Sequence, residues 1–246
     1  MIRRVLFQIR NVIEASFGIY DLNEHFMIDG FDKFPVVVDL GAGKGKFGEM
    51  ILEKYPSSRI ILVEPAPLQF QELTKKFEKQ DNVEILEAAV GNEENNHGKF
   101  YLNKTWSGNS LHKPLIAEKD IQGEITVRLV TLEDIFSLFH LEKIDLLKVD
   151  IEGEEWNLFE NFSKHDFERI QQISVEFHDF LDPSLRKRSK RCIKLLKEFG
   201  YTFIHRGTNL MCGTPYYNCL FYNRKKLNSK AIVRWVNVPT QLSGKI

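Results

Sequence analysis

The sequence predicts an α/β fold in which a mostly parallel sheet carries helices on both faces. From Pro35 onward, short apolar segments of strand length alternate with segments whose apolar residues recur at helical spacing, which is typical of a doubly wound sheet. The 246 residues suffice for one large α/β domain with a sizeable core. We see no internal repeat and no low-complexity linker. We therefore expect one domain over residues 35–224, with an N-terminal extension (1–34) and a tail (225–246) packed on or near it.

Composition and charge exclude several classes of protein. The chain is 43% hydrophobic and 28% charged, as expected of a globular protein and not of a disordered one. Its 34 basic and 34 acidic residues cancel, so no overall charge attracts nucleic acid. No apolar run approaches the roughly 18 to 20 residues of a membrane-spanning helix. The three cysteines lack C-x-x-C spacing, which argues against a disulfide scaffold or zinc site and predicts a cytoplasmic location.

The N-terminal extension has apolar residues at helical spacing, among them Ile2, Leu6, Ile9 and Ile13, with three arginines between them. We expect a helix that packs on the domain, because such apolar stripes are usually core contacts. A helix on a membrane surface and a transit peptide are the alternatives.

Short runs of aliphatic residues, bounded by turn residues, predict the strands. The core strands are expected at 36–38, 60–63, 83–86, 144–149 and 173–175, and two last strands near 201–205 and 217–222. Residues 91–130 interrupt the alternation of strands and helices. They predict an inserted hairpin made of strands 99–102 and 125–130.

Helices are expected between these strands. One follows the glycine-rich segment 41–48 and ends at Pro56, and another presents Phe70, Leu73 and Phe77 on one face. Thr131 and Asp134 form a capping-box pattern at the start of a third helix. A fourth helix begins near Glu152, and a basic amphipathic helix covers about 184–199.

Carboxylates follow the ends of five successive predicted core strands: Asp39, Glu64, Glu87, Asp150 and Glu176. In an open parallel sheet, ligands bind beyond the carboxyl ends of the strands. One such acid would be unremarkable, but five predict an acidic ligand-binding edge.

The glycine-rich segment DLGAGKGKFG (39–48) admits three interpretations. A phosphate-binding P-loop needs Ser or Thr after its lysine, whereas Phe47 follows Lys46, so we exclude it. A dinucleotide fingerprint, G-x-G-x-x-G, is formally present at Gly43, Gly45 and Gly48 and is weak evidence by itself. The third interpretation is a loop that binds S-adenosylmethionine.

Charge favours the third interpretation. Asp39 would attract the sulfonium and ammonium groups of S-adenosylmethionine and would repel a pyrophosphate. Glu64, at the end of the next strand, can accept hydrogen bonds from both ribose hydroxyls. Because NAD enzymes bind ribose in the same way, an NAD-dependent oxidoreductase remains the alternative.

Several motifs then occur in one order: VVVDLGAGKG (36–45), VEPAP (63–67), AAVGN (88–92), SL (110–111), VTLEDI (130–135), IDLLKVDIEGEE (144–155) and ISVEFH (173–178). Together they resemble the FkbM family of S-adenosylmethionine-dependent methyltransferases, of the Rossmann-like class I, over roughly residues 35–222. KVDIEGEE followed by EFH is the most specific part. The resemblance implies a seven-stranded sheet and methyl transfer to a hydroxyl or carboxyl of a sugar, glycolipid, polysaccharide or polyketide-type acceptor.

Matched by position, the resemblance also implies roles for individual residues. The methionine part of the cofactor would be held by the loop residues Asp39, Gly41, Ala42, Gly43 and Gly45. Glu64 and the adjoining Pro65 would bind the ribose, and residues Glu87, Ala88 and Ala89 would flank the adenine. The chain departs from the family pattern at Glu154, where a small or apolar residue is common, and in lacking a clear acidic adenine contact.

The same matching assigns the methyl-transfer chemistry to two strand ends. Asp150 and Glu152 match the motif that faces the transferred methyl, and Glu176 and His178 match the E-x-H motif. His178 is the expected base, because a neutral imidazole is available near pH 7, and Asp150 would orient it or act as base itself. We expect no metal, although these oxygen and imidazole donors suit a divalent ion.

The remaining expectations concern the acceptor and partners. Trp106 and Ser110, in the inserted segment, and Glu152 would contact a small-molecule or glycan acceptor. Lys148, in a predicted core strand, is expected to pair with a carboxylate. The basic run 186–191 raises an RNA methyltransferase as a further alternative, but we expect a solvated helix face and no nucleic acid. Peripheral contact with an anionic membrane is compatible with the N-terminal arginines.

Overall fold

The computed structural model describes residues 18–22, 24–31, 33–92, 96–104, 108–205 and 218–223. Their strands are β1 (Ile19–Leu22), β2 (His25–Ile28), β3 (Val36–Leu40), β4 (Arg59–Val63), β5 (Val83–Leu86), β6 (Ala89–Val90), β7 (His97–Asn103), β8 (Ile121–Val130), β9 (Ile144–Val149), β10 (Ile170–Glu176), β11 (Tyr201–His205) and β12 (Asn218–Asn223). Their α-helices are α1 (Lys46–Lys54), α2 (Pro67–Lys76), α3 (Leu132–Leu138), α4 (Glu155–Glu160), α5 (Lys164–Arg169) and α6 (Arg186–Glu198).

Seven of these strands form the central sheet, in the order β11-β12-β10-β9-β3-β4-β5. Strands β10, β9, β3, β4 and β5 are parallel to one another, whereas β12 runs antiparallel to β10 and β11. The predicted mostly parallel, seven-stranded sheet is therefore confirmed. The strand order reverses between β3 and β9, and a doubly wound sheet opens a ligand crevice at such a point.

Apolar packing on both faces explains the nearly continuous aliphatic runs in the central strands. Successive residues of a strand point to opposite faces. Ile60 and Leu62 of β4 pack with Ile51 of α1 on one face, and Ile61 and Val63 join the larger core cluster on the other. These side chains are almost completely buried, which holds the carboxyl ends of the strands in fixed positions.

The N-terminal extension differs from the helical prediction where the structure describes it. Strands β1 and β2 form an antiparallel hairpin, with Ile19 opposite Ile28. Ile19, Phe26 and Ile28 pack on Leu220 and Tyr222 of β12, so burial against the sheet favours strands in this segment. Residues 1–17, which carry that spacing, and the tail 225–246 lie outside the described residues.

The inserted segment contains the predicted hairpin, formed by β7 and β8. A short strand that we did not predict, β6, pairs with β8 in parallel and completes a three-stranded sheet. The chain between β7 and β8 returns to pair Tyr101 with Ser110 through an isolated bridge. This fold brings the inserted segment close to the carboxyl end of β9.

Two helix starts test the sequence rules. Thr131 and Asp134 form the predicted capping box at the start of α3. The helix expected near Glu152 begins at Glu155 instead, because Glu152 and Gly153 have φ values of +49° and +110°, which an α-helix does not accommodate. Within the described residues, no helix has the length and apolar content needed to cross a membrane.

Candidate active site

A cavity of about 650 Å³ opens beyond the carboxyl ends of β3, β4 and β9. Its wall combines loop backbone, acidic side chains and a few apolar side chains from the inserted segment: Gly41, Gly43, Lys44, Val63, Glu64, Pro65, Gln69, Glu72, Ala88, Ala89, Val90, Phe100, Gly108, Asn109, Leu111, Asp150, Ile151 and Glu152. We call the part formed by Gly41, Gly43 and Glu64 the cofactor side. We call Asp150 and Glu152 of this wall, together with Glu176 and His178, which do not line the cavity, the transfer side.

Gly41, Gly43 and Gly45 of the loop are glycines for different structural reasons. All three adopt positive φ, which glycine tolerates at little cost. A Cβ on Gly41 would lie 1.7 Å from the carbonyl oxygen of Asp150, and one on Gly45 would lie 2.6 Å from the Phe77 ring. A Cβ on Gly43 would meet no atom within 4 Å. Gly41 and Gly45 therefore allow close packing, while Gly43 leaves open space in the cavity wall.

Glu64 holds the loop from the end of β4. One carboxylate oxygen accepts a hydrogen bond from the Gly43 backbone N–H at 2.8 Å, and the other accepts one from Ala66 N–H at 2.9 Å. Burial raises the pKa of Glu64 to about 7, although both backbone hydrogen bonds oppose that shift. Each oxygen retains acceptor capacity toward a ligand hydroxyl.

Lys148 joins the two sides of the cavity. Its Nζ lies 2.9 Å from Asp39 Oδ1 and 3.3 Å from Asp150 Oδ2, and donates to the Gly41 carbonyl at 2.6 Å. Burial alone would lower the pKa of Lys148, but Asp39 and Asp150 more than offset this and raise it. The expected pairing of Lys148 with a carboxylate is thus present. Asp39 is fully buried and does not line the cavity, so its carboxylate pairs with Lys148 and does not face a ligand as predicted.

His178 lies behind the cavity wall among carboxylates. Its Nδ1 is 2.8 Å from Glu155 Oε1, and its Nε2 is 3.1 Å from Glu152 Oε2, 3.6 Å from Glu176 Oε1 and 3.7 Å from Asp150 Oδ1. Burial alone would lower the pKa of His178, but the surrounding carboxylates, Glu155 foremost, raise it well above its usual value. The expectation of a neutral imidazole base near pH 7 is therefore corrected, since these neighbours favour the imidazolium.

Glu152 lies on the cavity wall in a constrained turn. The Ser110 hydroxyl donates to the Glu152 carbonyl, and Glu155 Oε1 accepts from the backbone N–H groups of Ile151 and Gly153. Burial, assisted by the like charges of Asp150 and Glu155, raises the pKa of Glu152 despite the opposing effect of His178. A carboxylate with a raised pKa on a cavity wall is suited to accept a proton.

The structure places three other predicted site residues away from the cavity, and a fourth is not described. Ser110 is buried, and its hydroxyl is occupied by Glu152 and by the His112 N–H, so it positions the turn and does not face an acceptor. Glu87 is exposed and does not line the cavity, whereas the neighbouring Ala88 and Ala89 do. Ala42 packs in the core with Phe47 and does not line the cavity. Trp106 lies outside the described residues.

Sequence reasoning missed His25, which reaches the transfer side from β2. Its Nε2 is 3.4 Å from Asp150 Oδ2, and its Nδ1 is 3.3 Å from the Ser174 hydroxyl. The ring is 3% exposed and packs edge-on against Phe47. A histidine far upstream of every motif gives no sequence signal for such a position.

The transfer side contains donor atoms of the kind that bind cations. Within the described residues, ligand-type atoms of His25, Asp150 and Glu176 lie within 4.8 Å of one another, as do those of Asp150, Glu152 and His178. These imidazoles and carboxylates also pair with each other, which gives them a structural reason that needs no ion.

The basic run on α6 is partly neutralised within the protein. Arg188 donates to Asn157 and to Glu160 Oε2 at 2.8 Å, and Arg191 lies 3.6 Å from Glu160 Oε1. The opposite face of α6 is buried through Cys192, Ile193 and Leu196, in agreement with an amphipathic helix whose charged face is solvated.

Comparison with known proteins assigns the family. The sequence model of the methyltransferase FkbM domain matches residues 39–203. The chain is 25% identical over 205 residues to 31-O-demethyl-FK506 methyltransferase FkbM of Streptomyces tacrolimicus, covering 73% of this chain and 77% of that protein.

A second relative is much longer than this chain. The chain is 25% identical over 217 residues to the AMB antimetabolite synthetase AmbE of Pseudomonas aeruginosa, covering 75% of this chain but only 10% of that protein.

Among solved structures, fibrillarin of Aeropyrum pernix with natively bound S-adenosyl-L-methionine matches with a TM-score of 0.44 and 12% identity, over 78% of this chain and 66% of that one.

The family match covers most of the chain and includes the glycine loop, the turn at Glu152 and the E-x-H motif. This match agrees with the resemblance predicted from the sequence and with the doubly wound sheet. The chain belongs to the FkbM methyltransferase family and is a methyltransferase enzyme.

Proposed function

We propose that this enzyme transfers the methyl group of S-adenosylmethionine to a hydroxyl group of a neutral, hydroxyl-rich small molecule or glycan. The observation that carries the proposal is one cavity bordered by two kinds of wall: the glycine loop held by Glu64, and the carboxylates Asp150 and Glu152. The FkbM relative supports oxygen as the acceptor atom, since its name specifies a 31-O position.

The cofactor side fits S-adenosylmethionine. Gly43 borders the cavity where a side chain would intrude, and the Glu64 carboxylate beside it can accept hydrogen bonds from two ribose hydroxyls. Ala88 and Ala89 offer a small apolar surface for the adenine. Acidic groups line this cavity, which favours a cationic cofactor over a pyrophosphate and disfavours the NAD-dependent alternative.

Methyl transfer to a hydroxyl requires alignment of the acceptor and removal of its proton. Bound S-adenosylmethionine supplies an electrophilic methyl group to the attacking oxygen. Glu152 would accept the hydroxyl proton on its carboxylate, because it lines the cavity and its pKa is raised by burial. Asp150, fixed by Lys148, is held ionised by a lowered pKa that burial opposes, so it suits orientation of the acceptor better than proton removal.

Charge narrows the class of acceptor. Asp150, Glu152 and Glu176 surround His178 at the transfer side, and an anionic acceptor brought beside these carboxylates would be repelled. Phe100 and Leu111 on the facing wall provide apolar surface for the body of a sugar ring or polyketide. A neutral hydroxyl-bearing acceptor is therefore favoured over a carboxylate or phosphate ester.

Calorimetric titration with S-adenosylhomocysteine and with NAD tests the cofactor. We expect S-adenosylhomocysteine alone to bind, and Glu64→Ala to weaken binding about 10- to 100-fold, as expected for lost hydrogen bonds to a charged group. Glu72→Ala is the matched control, because Glu72 lines the same cavity but is half exposed and pairs with Lys44. Binding of NAD alone would overturn the proposal.

Transfer of a labelled methyl group then tests the acceptor. A panel of neutral sugars and polyols is compared with matched uronic acids and sugar phosphates, using wild-type enzyme and Glu152→Gln. We expect labelling of neutral acceptors only, and its loss in the variant with S-adenosylhomocysteine binding intact. Preferential labelling of the anionic acceptors would contradict the assigned class.

A further inference from the structure

We propose that His25 is a positioning residue of the active site, so that the β1–β2 hairpin, outside the residues matched by the family, is part of the catalytic unit. The inference rests on the proposed methyl transfer for its functional consequence. The observation behind it is the contact between the His25 ring and the Asp150 carboxylate at the transfer side.

Two polar side chains of the buried strand β10 bind the backbone of β2. Ser174 Oγ accepts from Phe26 N–H at 2.9 Å, and Gln172 accepts from Ile28 N–H at 2.8 Å while donating to the Ile28 carbonyl at 2.7 Å. Ser174 and Gln172 are almost completely buried. Polar groups in a sheet core are costly unless they are hydrogen-bonded, and here the hairpin satisfies them. The hairpin is therefore docked in one register.

Hydrogen-bond capacity assigns the proton on the uncharged His25 ring. An ionised Asp150 only accepts hydrogen bonds, so the contact at 3.4 Å requires the proton on His25 Nε2. Nδ1 is then an acceptor, and the Ser174 hydroxyl, 3.3 Å away, must donate to it. Because Ser174 Oγ already accepts from Phe26 N–H, its own proton is available for this bond. One consistent arrangement of protons results.

The contact divides the two oxygens of Asp150 between two tasks. Oδ2 faces Lys148 at 3.3 Å and His25 at 3.4 Å. Oδ1 faces His178 Nε2 at 3.7 Å. The Asp150 side chain is 27% exposed. If Lys148 were its sole attachment, the carboxylate could rotate about that contact. His25 supplies the second point of attachment and keeps Oδ1 toward His178.

The test compares three variants. His25→Phe keeps an aromatic ring against Phe47 but removes the donor. His25→Gln restores an N–H donor near the position of Nε2. Met27→Leu is the matched control, because it changes a buried side chain of the same strand without touching the docking hydrogen bonds or the His25 contact. The first readout is the ring-nitrogen NMR spectrum of His25 and His178 in the ligand-free protein at pH 8.

We expect the proton on His25 Nε2, and a changed His178 signal in His25→Phe but not in Met27→Leu. On a neutral acceptor from the panel, His25→Phe should lower kcat about 10- to 100-fold, the scale of a small misplacement, and change the Kd of S-adenosylhomocysteine less than threefold. His25→Gln should restore the His178 signal and kcat to near wild type. An unchanged His178 signal in His25→Phe, or equal changes in Met27→Leu, would overturn the positioning role.

The two failures are distinguishable. If wild-type protein binds no S-adenosylhomocysteine, the proposed function fails, and the ligand-free spectra still decide whether His25 orients Asp150. If His25→Phe does not fold, Ser174→Ala replaces it, since loss of the Nδ1 partner should release the ring and change the His25 and His178 signals together. Unchanged signals in that variant would also overturn the inference.

Discussion

The cofactor side and the transfer side of the cavity are built in opposite ways. The cofactor side consists of loop backbone, with a single acid, Glu64, bound to two backbone N–H groups. The transfer side consists of ionisable side chains that pair with each other, with His178 in contact with four carboxylates among the described residues. The first is a surface shaped to receive a ligand, and the second is a network that must hold its charges in place.

The two sides are therefore vulnerable to different substitutions. The cofactor side should tolerate substitutions that leave its turn unchanged, whereas a buried charge left without its partner on the transfer side costs several kcal/mol. Lys148 and Gly41 are the two points where the sides meet, through an ion pair and through a close backbone approach. Substitutions at these two residues should therefore have larger effects than substitutions on either side alone.

The largest expected effect is that of Lys148→Met. The variant leaves the buried carboxylates of Asp39 and Asp150 without their shared cation, and removal of one partner from a buried pair costs about 3–5 kcal/mol. We expect a loss of that size in the free energy of unfolding, measured by urea denaturation, and loss of S-adenosylhomocysteine binding. Lys99→Met is the control, because Lys99 pairs with Glu124 at the surface and should change stability by less than about 1 kcal/mol. Equal losses in both variants would contradict the role given to Lys148.

Gly41→Ala should break the contact between the two sides. Its Cβ would overlap the Asp150 carbonyl at a positive φ, so overpacking and a left-handed backbone together cost about 3 kcal/mol or more. Gly43→Ala has the same type of φ but open space around the Cβ, and we expect about 1 kcal/mol. Thermal unfolding of both variants measures the difference. A Gly43 variant as unstable as the Gly41 variant would show that backbone conformation, not the close approach, decides the cost.

The sequence predicts the cofactor side better than the transfer side. Gly41, Gly43 and Glu64 belong to one unit of β3, loop, α1 and β4, and local spacing suffices to place them. The transfer side depends on contacts between distant segments: His25 meets Asp150 across 125 positions, and Ser110 meets Glu152 across 42. Such contacts leave no local pattern.

The same distinction explains what was right and wrong in the fold. The alternation of apolar segments predicts the parallel sheet, because each buried strand carries its own signal. The hairpin β1–β2 was wrongly expected to be helical, because its strands gain their stability from packing on β12 and from the side chains of β10. Likewise the acidity of the strand ends was readable, but their pairing with His178, and hence its raised pKa, required the three-dimensional arrangement.

Glu64 gives the cofactor side a pH dependence of its own. Its folded-state pKa of about 7 lies above the ordinary glutamate value of 4.5, so its contribution to stability is present below pH 4.5 and is lost as pH rises through about 7. The ionised form is the better acceptor for ribose hydroxyls, so binding should change in the opposite direction. We expect the affinity for S-adenosylhomocysteine to rise about tenfold from pH 6 to pH 8, measured by calorimetry. Glu64→Gln should flatten that rise, and a rise that persists in this variant would assign it to another group.

Ser110→Ala is the smallest change and acts on the transfer side alone. The Ser110 hydroxyl donates to the Glu152 carbonyl and accepts from His112 N–H, so it fixes a residue whose φ is +49°. Loss of a buried hydroxyl hydrogen bond costs about 1 kcal/mol, and Ser58→Ala is the matched control, because Ser58 is equally buried and donates to the Tyr55 carbonyl far from the cavity. Both variants should lose similar stability. Only Ser110→Ala should speed amide hydrogen exchange in residues 151–154 and lower the rate of methyl transfer, because the turn that presents Glu152 is then free to relax; equal exchange in the two variants would mean that Glu155 alone holds the turn.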